Sequence, residues 1–453
     1  MRPRTLSSLA ESTGGRVEGE DVTVTGAAAD SREVGEGHLF VALPGDRADG
    51  HDFVGQAFEG GAAAAMVARD GPWPGPALVV NDPRTALLEL AADERSSLGC
   101  EVVGITGSTG KTSVKDLAAA VLGARFRVTA SPRSFNTEVG VPLTILAADE
   151  RTEVVVCEMG SRGKGHLRLL CEVARPGVGV VTNVGLAHME MFGSTDAVAD
   201  AKAELVESLP PEGTAVLNAD DPVVGGFASR TRAGVLSFGT GAGADVRAED
   251  LVLDRGGRAS FTLRTPGGTE RVELAVPGEH MAWNALAAAG CGVALGLSAG
   301  ECAAALKDAR VSAWRMETFQ GRDEITVVND AYNANPASMA AALKATRWIA
   351  GDGRCVAVLG EMAELGAIAE EEHDRVGELA ARLGIDELVV VGPAARRIAV
   401  GAVREGVEPE RVTVVDGIDE ALEAVRSAAH PGDVVLVKGS RVAGLERVAE
   451  ALR

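Results

Sequence analysis

The stretch Glu101–Ser113, EVVGITGSTGKTS, constrains this chain more than any other. Val102, Val103 and Ile105 form a short apolar run of the kind that makes a buried strand. Gly107, Ser108, Thr109 and Gly110 then make a flexible turn, and Lys111, Thr112 and Ser113 open a helical segment, KTSVKDLAAAVL. A strand, a glycine turn and a helix start together build an anion site. The glycines let backbone N–H groups converge, and the helix N-terminus adds partial positive charge. Lys111 supplies a point charge for outer phosphates, and the Thr112 hydroxyl a ligand for Mg²⁺. The spacing is a shortened G-x-x-G-K-[ST] loop, because the longer pattern wants glycine where Ile105 stands. A chance Lys-Thr pair at a helix start would leave the preceding strand and turn without a reason. The stretch reads as a nucleoside triphosphate site.

A chain of 453 residues suggests two to four domains. Its formal net charge of -21 argues against nucleic acid or an anionic membrane surface as partner. With only 3% aromatic residues, the cores must rest on small and β-branched side chains. The cysteines (Cys100, Cys157, Cys171, Cys291, Cys302, Cys355) show no C-x-x-C spacing and are expected as small buried hydrophobes. The opening MRPRTLSSLAESTGG has no apolar signal core, and no apolar run is long enough to span a bilayer. The expectation is a reduced, cytoplasmic protein without membrane insertion.

The pattern is α/β throughout, in three units. Residues 1–97 read as a small α/β domain: strands in VTVTGAAADSR, HLFVALPG and ALVV, with a helix expected over FVGQAFEGGAAAAMV. Ser31, Arg32, Asp49, Gly50 and His51 fit a phosphate or sugar site, or equally plain capping and turn chemistry. Residues 98–312 alternate strand and helix, the order that builds a mostly parallel sheet. Its apolar strands end in Glu158, Asn183 and Asn218, at the carboxyl edge where ligands of open α/β sheets lie. GTGAGAD at residues 239–245 echoes a dinucleotide fingerprint, but no helix start follows and a turn is expected. Residues 313–453 restart the alternation with EITVVNDAY, RCVAVLGEM, ELVVVG, RVTVV and DVVLVKGS, and read as a second, Rossmann-like α/β sheet with no phosphate loop of its own.

Mg·ATP chemistry needs metal ligands and positive charge beyond a phosphate cradle. Glu158 ends VVVCE, where a buried carboxylate wants a cation; the alternative is a strand-end glutamate in water. His188 follows the next strand, and a lone histidine is more often structural. Lys202 lies on the helical DAVADAKAELVESL, where a lysine ordinarily snorkels to water. Arg315 and Asp330 bracket the first strand of the third unit, ahead of the polar turn Tyr332-Asn333-Ala334-Asn335-Pro336.

The order of ITGSTGKTS, SFNTEVGVPLTIL, VVCEMG, TNVGLAHMEMFGS and VADAKAEL resembles that in Mur ligases, the ATP-dependent amino-acid ligases of peptidoglycan precursor synthesis. NDAYNANPASMAAAL, VLGEMAELG and DVVLVKGSR resemble the ligase acting last in that series, and the DNPR block of the third-residue ligase is absent. DSREVGEGHLFVALPGDRADGHDF is similar to the family's nucleotide-sugar domain.

The resemblance implies three domains: nucleotide-sugar binding over 1–97, ATP binding over 98–312, and a C-terminal ligase domain over 313–453. It implies that Gly107, Ser108, Thr109, Gly110, Lys111, Thr112 and Ser113 hold ATP phosphates, with Thr112, Glu158 and His188 as Mg²⁺ ligands. Lys202 matches a lysine carbamylated by CO₂ in the family. Asn284, Arg315, Asp330 and Asn333 would complete the ATP site, with Lys111, His188, Lys202 and Arg315 catalytic. Ser31, Arg32, Asp49, Gly50 and His51 would meet the UDP-sugar, and Asn136, Thr137 and Glu138 the substrate entrance. Met281 stands where the family often has asparagine, and Thr137 where a second asparagine is commoner. The implied reaction joins D-alanyl-D-alanine to a UDP-N-acetylmuramoyl tripeptide by way of an acyl phosphate, in a monomer. A relative using another amine, or a non-catalytic ATP-binding regulator, are the rival readings.

Overall fold

The computed structural model describes residues 1–45, 48–186 and 189–453. A small ribbon pairs β1 (Arg4–Thr5) with β3 (Thr23–Val24). The first sheet contains β2 (Arg16–Glu18), β4 (Gly26–Ala28), β5 (His38–Val41), β6 (Ala64–Val67) and β7 (Ala77–Val79), in the order β2-β7-β6-β5-β4. The helix expected over residues 53–67 stops at Glu59, and β6 takes up its second half. Gly60 and Gly61 break the helix, and Gly61 has φ +103°, a left-handed backbone that favours glycine. The apolar AAMV that follows is fully buried between two parallel neighbours. A continuous apolar run does not by itself distinguish a buried helix from a buried strand.

The central sheet holds β8 (Glu101–Thr106), β9 (Val128–Ala130), β10 (Val154–Glu158), β11 (Val178–Val181), β12 (Thr214–Asn218), β13 (Gly234–Gly239), β14 (Val246–Leu253), β15 (Arg258–Thr265) and β16 (Gly268–Pro277). Their order is β16-β15-β14-β13-β12-β11-β8-β10-β9, parallel from β9 to β14 and antiparallel beyond. β8 lies between β10 and β11, where the chain crosses from one side of the sheet to the other, so a crevice opens at its carboxyl end. Of the stretch 239–245, Gly239 closes β13 and residues 240–245 form the expected turn into β14.

The third sheet contains β17 (Glu317–Gln320), β18 (Thr326–Asn329), β19 (Cys355–Leu359), β20 (Glu387–Val391), β21 (Val412–Val415) and β22 (Val434–Lys438), ordered β17-β18-β22-β19-β20-β21. All but the edge strand β17 are parallel. Helices cover both faces, as parallel sheets require, and each face has its own apolar cluster.

One core runs without a break from the first sheet into the central one, joining Leu39, Met66 and Leu87 to Val141, Val155 and Leu205. The opposite face of the central sheet packs under the helices Lys111–Gly123 and Met281–Ala294. All the cysteines are free and buried, as expected. Among the described residues, no helix is long and apolar enough to cross a membrane.

Candidate active site

The loop after β8 is shaped by contacts that exclude side chains at its glycines. A Cβ on Gly107 (φ +149°) would fall 1.8 Å from Thr182 Oγ1, and one on Gly110 (φ +82°) 2.6 Å from Asn284 Oδ1. The end of β11 cradles the turn: Asn183 Oδ1 accepts from the Thr109 backbone N–H at 2.9 Å, and Thr182 Oγ1 donates to the Thr109 carbonyl at 2.6 Å. Ser108 Oγ accepts from the Gly185 backbone N–H at 2.9 Å. Gly110 caps the helix Lys111–Gly123, so its first N–H groups face the loop.

Lys111 Nζ donates to the Gly107 carbonyl at 2.7 Å, folded back over the loop it serves. Burial holds its pKa below that of an ordinary lysine; the Glu158 carboxylate works against this and Arg315 adds to it. Thr112 Oγ1 donates to Glu158 Oε2 at 2.7 Å, and Asn136 Nδ2 donates to Glu158 Oε1 at 2.8 Å. Glu158 is buried at the end of β10, with neutral donors on both of its oxygens. A charged carboxylate in that position, beside a hydroxyl oxygen, has the hard-oxygen chemistry that Mg²⁺ selects. Phosphate oxygens and water would have to supply the remaining ligands. His188, the third expected ligand, lies outside the described residues.

Lys202 is buried on the helix Thr195–Glu207, contrary to the ordinary habit of a lysine on such a helix. Burial, with the Lys111 charge adding to it, drives its pKa well below 10.5. A neutral amine is the form able to attack CO₂.

The far wall comes from the C-terminal sheet and the linker leading into it. Arg315 Nη2 donates to Thr112 Oγ1 at 2.7 Å and to Ser134 Oγ at 3.1 Å. Its guanidinium stacks 4.1 Å from the centre of the Tyr332 ring, and its Nε is buried with no partner among the described residues. The flanking Trp314 (φ +62°) and Met316 (φ +53°) lie in the left-handed region, which costs roughly 1–2 kcal/mol for each such side chain. Asp330 Oδ1 accepts from the Met316 N–H at 3.0 Å, and Lys438 Nζ donates to Asp330 Oδ2 at 2.5 Å. Asn333 is exposed and its carbonyl accepts from Lys438 at 2.9 Å. Asn284 donates to Met281 Sδ at 3.3 Å, so the sulfur takes up the amide at the variant position.

A cavity of about 690 Å³ opens between these two walls, lined by Lys111, Thr112, Glu158, Asn284, Arg315 and Asp330 among others. Asn136 and Thr137 also line it. Glu138 instead binds Arg84 at 2.7 Å and His166 at 3.1 Å. Burial raises the Glu138 pKa, but its own backbone N–H and the nearby cations outweigh this and leave it below the usual value.

The residues expected at the sugar end stand apart from this cavity. The Asp49 carboxylate accepts from the His51 N–H at 3.0 Å and lies 2.6 Å from His51 Nδ1. His51 Nε2 accepts from the Ala68 N–H at 2.9 Å, so both ring nitrogens serve the turn. A Cβ on Gly50 would meet the Leu43 backbone at 2.6 Å. Arg32 pairs with Asp30, and Ser31 with Gln56 at 3.0 Å. Residues passed over in the sequence are Thr182, Ser134 and Lys438. Lys438 alone carried a usable signal, a charge ending the apolar run VVLV.

Three models of the Mur ligase family match most of the chain: a Mur ligase family catalytic domain over 23–95, a middle domain over 105–292, and a glutamate ligase domain over 314–441. The UDP-N-acetylmuramoyl-tripeptide–D-alanyl-D-alanine ligase of Mycobacterium tuberculosis is 44% identical, over 99% of this chain and 97% of its own. The chain belongs to the Mur ligase family. The Bacillus subtilis ligase of the same name is 36% identical, covering 100% of this chain and 99% of its own. Among solved structures, MurF from Acinetobacter baumannii superposes with a TM-score of 0.87 at 30% identity, covering 99% of this chain and 98% of that one. A MurF ligase from Thermotoga maritima in complex with ADP gives 0.81 at 28% identity, covering 95% and 97%.

Proposed function

We propose that this Mur ligase joins D-alanyl-D-alanine to UDP-N-acetylmuramoyl tripeptide at the expense of ATP, releasing ADP and phosphate in peptidoglycan precursor synthesis. The carrying observation is that Arg315, from the third unit, bonds Thr112 of the phosphate loop across one cavity that also holds Lys111 and Glu158. The tripeptide's terminal carboxylate attacks the γ-phosphorus of ATP, breaking the bond to ADP and forming an acyl phosphate. The free amine of the dipeptide then attacks the acyl carbon, loses a proton, and phosphate departs.

Gly107 to Ser113 supply backbone N–H groups and the helix N-terminus to the phosphates. Lys111 and Arg315 face the negative charge that builds on the transferring group, where fixed donors act most strongly in a site closed to water. Thr112 and Glu158, with His188, would hold Mg²⁺, which supplies charge neutralisation between phosphate oxygens. Lys202 is buried and its pKa is pushed down by burial and the Lys111 charge, which favours the neutral amine from which a carbamate forms. We assign Asn284, Asp330 and Asn333 to the nucleotide and Asn136 and Thr137 to the incoming peptide, with Glu138 beside the entrance in its pairs with Arg84 and His166. We assign the UDP-sugar to Ser31, Arg32, Asp49, Gly50 and His51 in residues 1–97, ATP to 98–312, and the closing domain to 313–453. Holding three reactants together removes much of the entropic barrier. The protein is read as a cytoplasmic monomer.

The test is phosphate release by the purified protein with ATP, UDP-N-acetylmuramoyl tripeptide and D-alanyl-D-alanine, each omitted in turn. Sustained ADP formation requiring all three, with a pentapeptide product, is expected. ATP binding without turnover for any dipeptide analogue would leave the regulator reading in its place.

A further inference from the structure

The LVKGSR block is a marked feature of the sequence, and the chemistry above assigns it no task. Lys438, at the end of β22, is 1% exposed. Its Nζ meets Asp330 Oδ2 at 2.5 Å, the Asn333 carbonyl at 2.9 Å and the Asp330 carbonyl at 3.4 Å. An ammonium has three donors, so these contacts leave none for a ligand. Lys438 must therefore act through what it holds.

What it holds is the linker around Arg315. The second oxygen of Asp330 accepts from the Met316 N–H, and the Tyr332 N–H donates to the Trp314 carbonyl at 3.2 Å. Both neighbours of Arg315 are thus tied to one short segment, and both keep a left-handed backbone that bulky residues abandon unless held. Arg441, from the same block, places its guanidinium 4.7 Å from the centre of the Trp314 ring. On the opposite side, Asp116 Oδ2 accepts from both the Ser312 N–H and its hydroxyl at 2.7 Å, anchoring the linker to the phosphate-loop helix.

We propose that Lys438 and Arg441 are positioning residues for Arg315: through Asp330 and Trp314 they hold the interdomain linker in the one shape that carries this guanidinium to the phosphate end of the cavity. The inference rests on the ligase reading only in taking a nucleotide phosphate as what Arg315 meets.

The test is a double-mutant cycle on the full chain, read as calorimetric binding of Mg²⁺ with a non-hydrolysable ATP analogue. Arg315→Ala is expected to weaken binding about tenfold, and Lys438→Met nearly as much, with stoichiometry unchanged. In the Arg315→Ala background, Lys438→Met should add no more than about twofold. Losses that multiply would overturn the proposal, because Lys438 would then act independently of Arg315. A misfolded fraction lowers stoichiometry rather than affinity. Should Lys438→Met fail to fold, Arg441→Gln on the linker's outer side decides: about threefold weaker binding, vanishing in the Arg315→Ala background, supports the proposal. An equal effect in both backgrounds, or none in either, ends it. Should the wild-type chain bind the analogue yet make no pentapeptide, the ligase reading fails while this cycle still reads out.

Discussion

Lys202 on the central unit and Lys438 on the C-terminal unit are both almost wholly removed from water, at 3% and 1% exposure, and the protein treats them in opposite ways. Lys438 keeps its charge company: a carboxylate at 2.5 Å and two carbonyls surround it. Lys202 sits near another cation, Lys111, and both burial and that charge push it toward the neutral amine. Burial alone therefore does not say what a lysine is for. The surroundings decide: a carboxylate partner holds an ammonium in an ion pair, while burial beside another cation favours the neutral amine.

The strongest way to break this contrast is to remove Lys111. Lys111→Ala should cut ADP formation by about 10²–10³-fold, as expected for losing one fixed charge at a developing anion. It should also let the Lys202 pKa rise, which ¹⁵N NMR of the lysine amines would follow. An unchanged rate removes the central unit from the chemistry.

Stability gives the next largest effect. Lys438→Met leaves the half-buried Asp330 carboxylate without its cation and should cost about 2–3 kcal/mol in urea unfolding of that unit. Lys202→Met replaces a buried amine with an apolar side chain of similar length and should be neutral or stabilising by about 1 kcal/mol. Two losses of equal size would show that the lysines are not treated differently.

The pH dependence sharpens the same point. Lys202 has a depressed folded pKa, so between that value and 10.5 the unfolded chain holds a proton the native chain lacks. Stability should rise with pH through this window, by up to about 1.4 kcal/mol per pH unit, and be lost as pH falls through the folded pKa. Lys202→Met should remove that slope in CO₂-free buffer. Wild type and variant running parallel would mean that Lys202 stays charged.

The smallest effect is at a surface pair used as a control. Glu301 caps its own helix through Ser298 and binds Arg125, which holds its carboxyl down to about 2. Its contribution is present above the ordinary value of 4.5 and fades as pH falls toward about 2. Glu301→Gln should flatten acid unfolding only slightly, because the pair is exposed and screened. A loss as large as that of Lys438→Met would dissolve the distinction between buried and surface charge.

Much of the site was readable because its residues follow local rules. The phosphate loop is contiguous, and Glu158, Asn183 and Asn218 stand at strand ends, where period and polarity reveal them. Residues 53–67 misled because a run of buried alanines satisfies helix and strand alike, and only pairing between β5 and β7 chose. Thr182 and Ser134 went unseen because their importance comes from what packs on them: the Gly107 backbone in one case, Arg315 in the other.

The sequence by itself determined the alternation of strand and helix, the glycine turn that opens the helix Lys111–Gly123, and the family. Those depend on neighbours along the chain, whose spacing is written in the residues. Tertiary structure decided which charges face each other. It brought Arg315 to Thr112 across 203 positions, buried Lys202 beside the Lys111 charge with no counter-ion among the described residues, and used both nitrogens of His51 to latch a turn. The physical reason is that a side chain's charge and reactivity are set by the atoms within a few ångströms, and in a folded chain most of those come from far away in sequence.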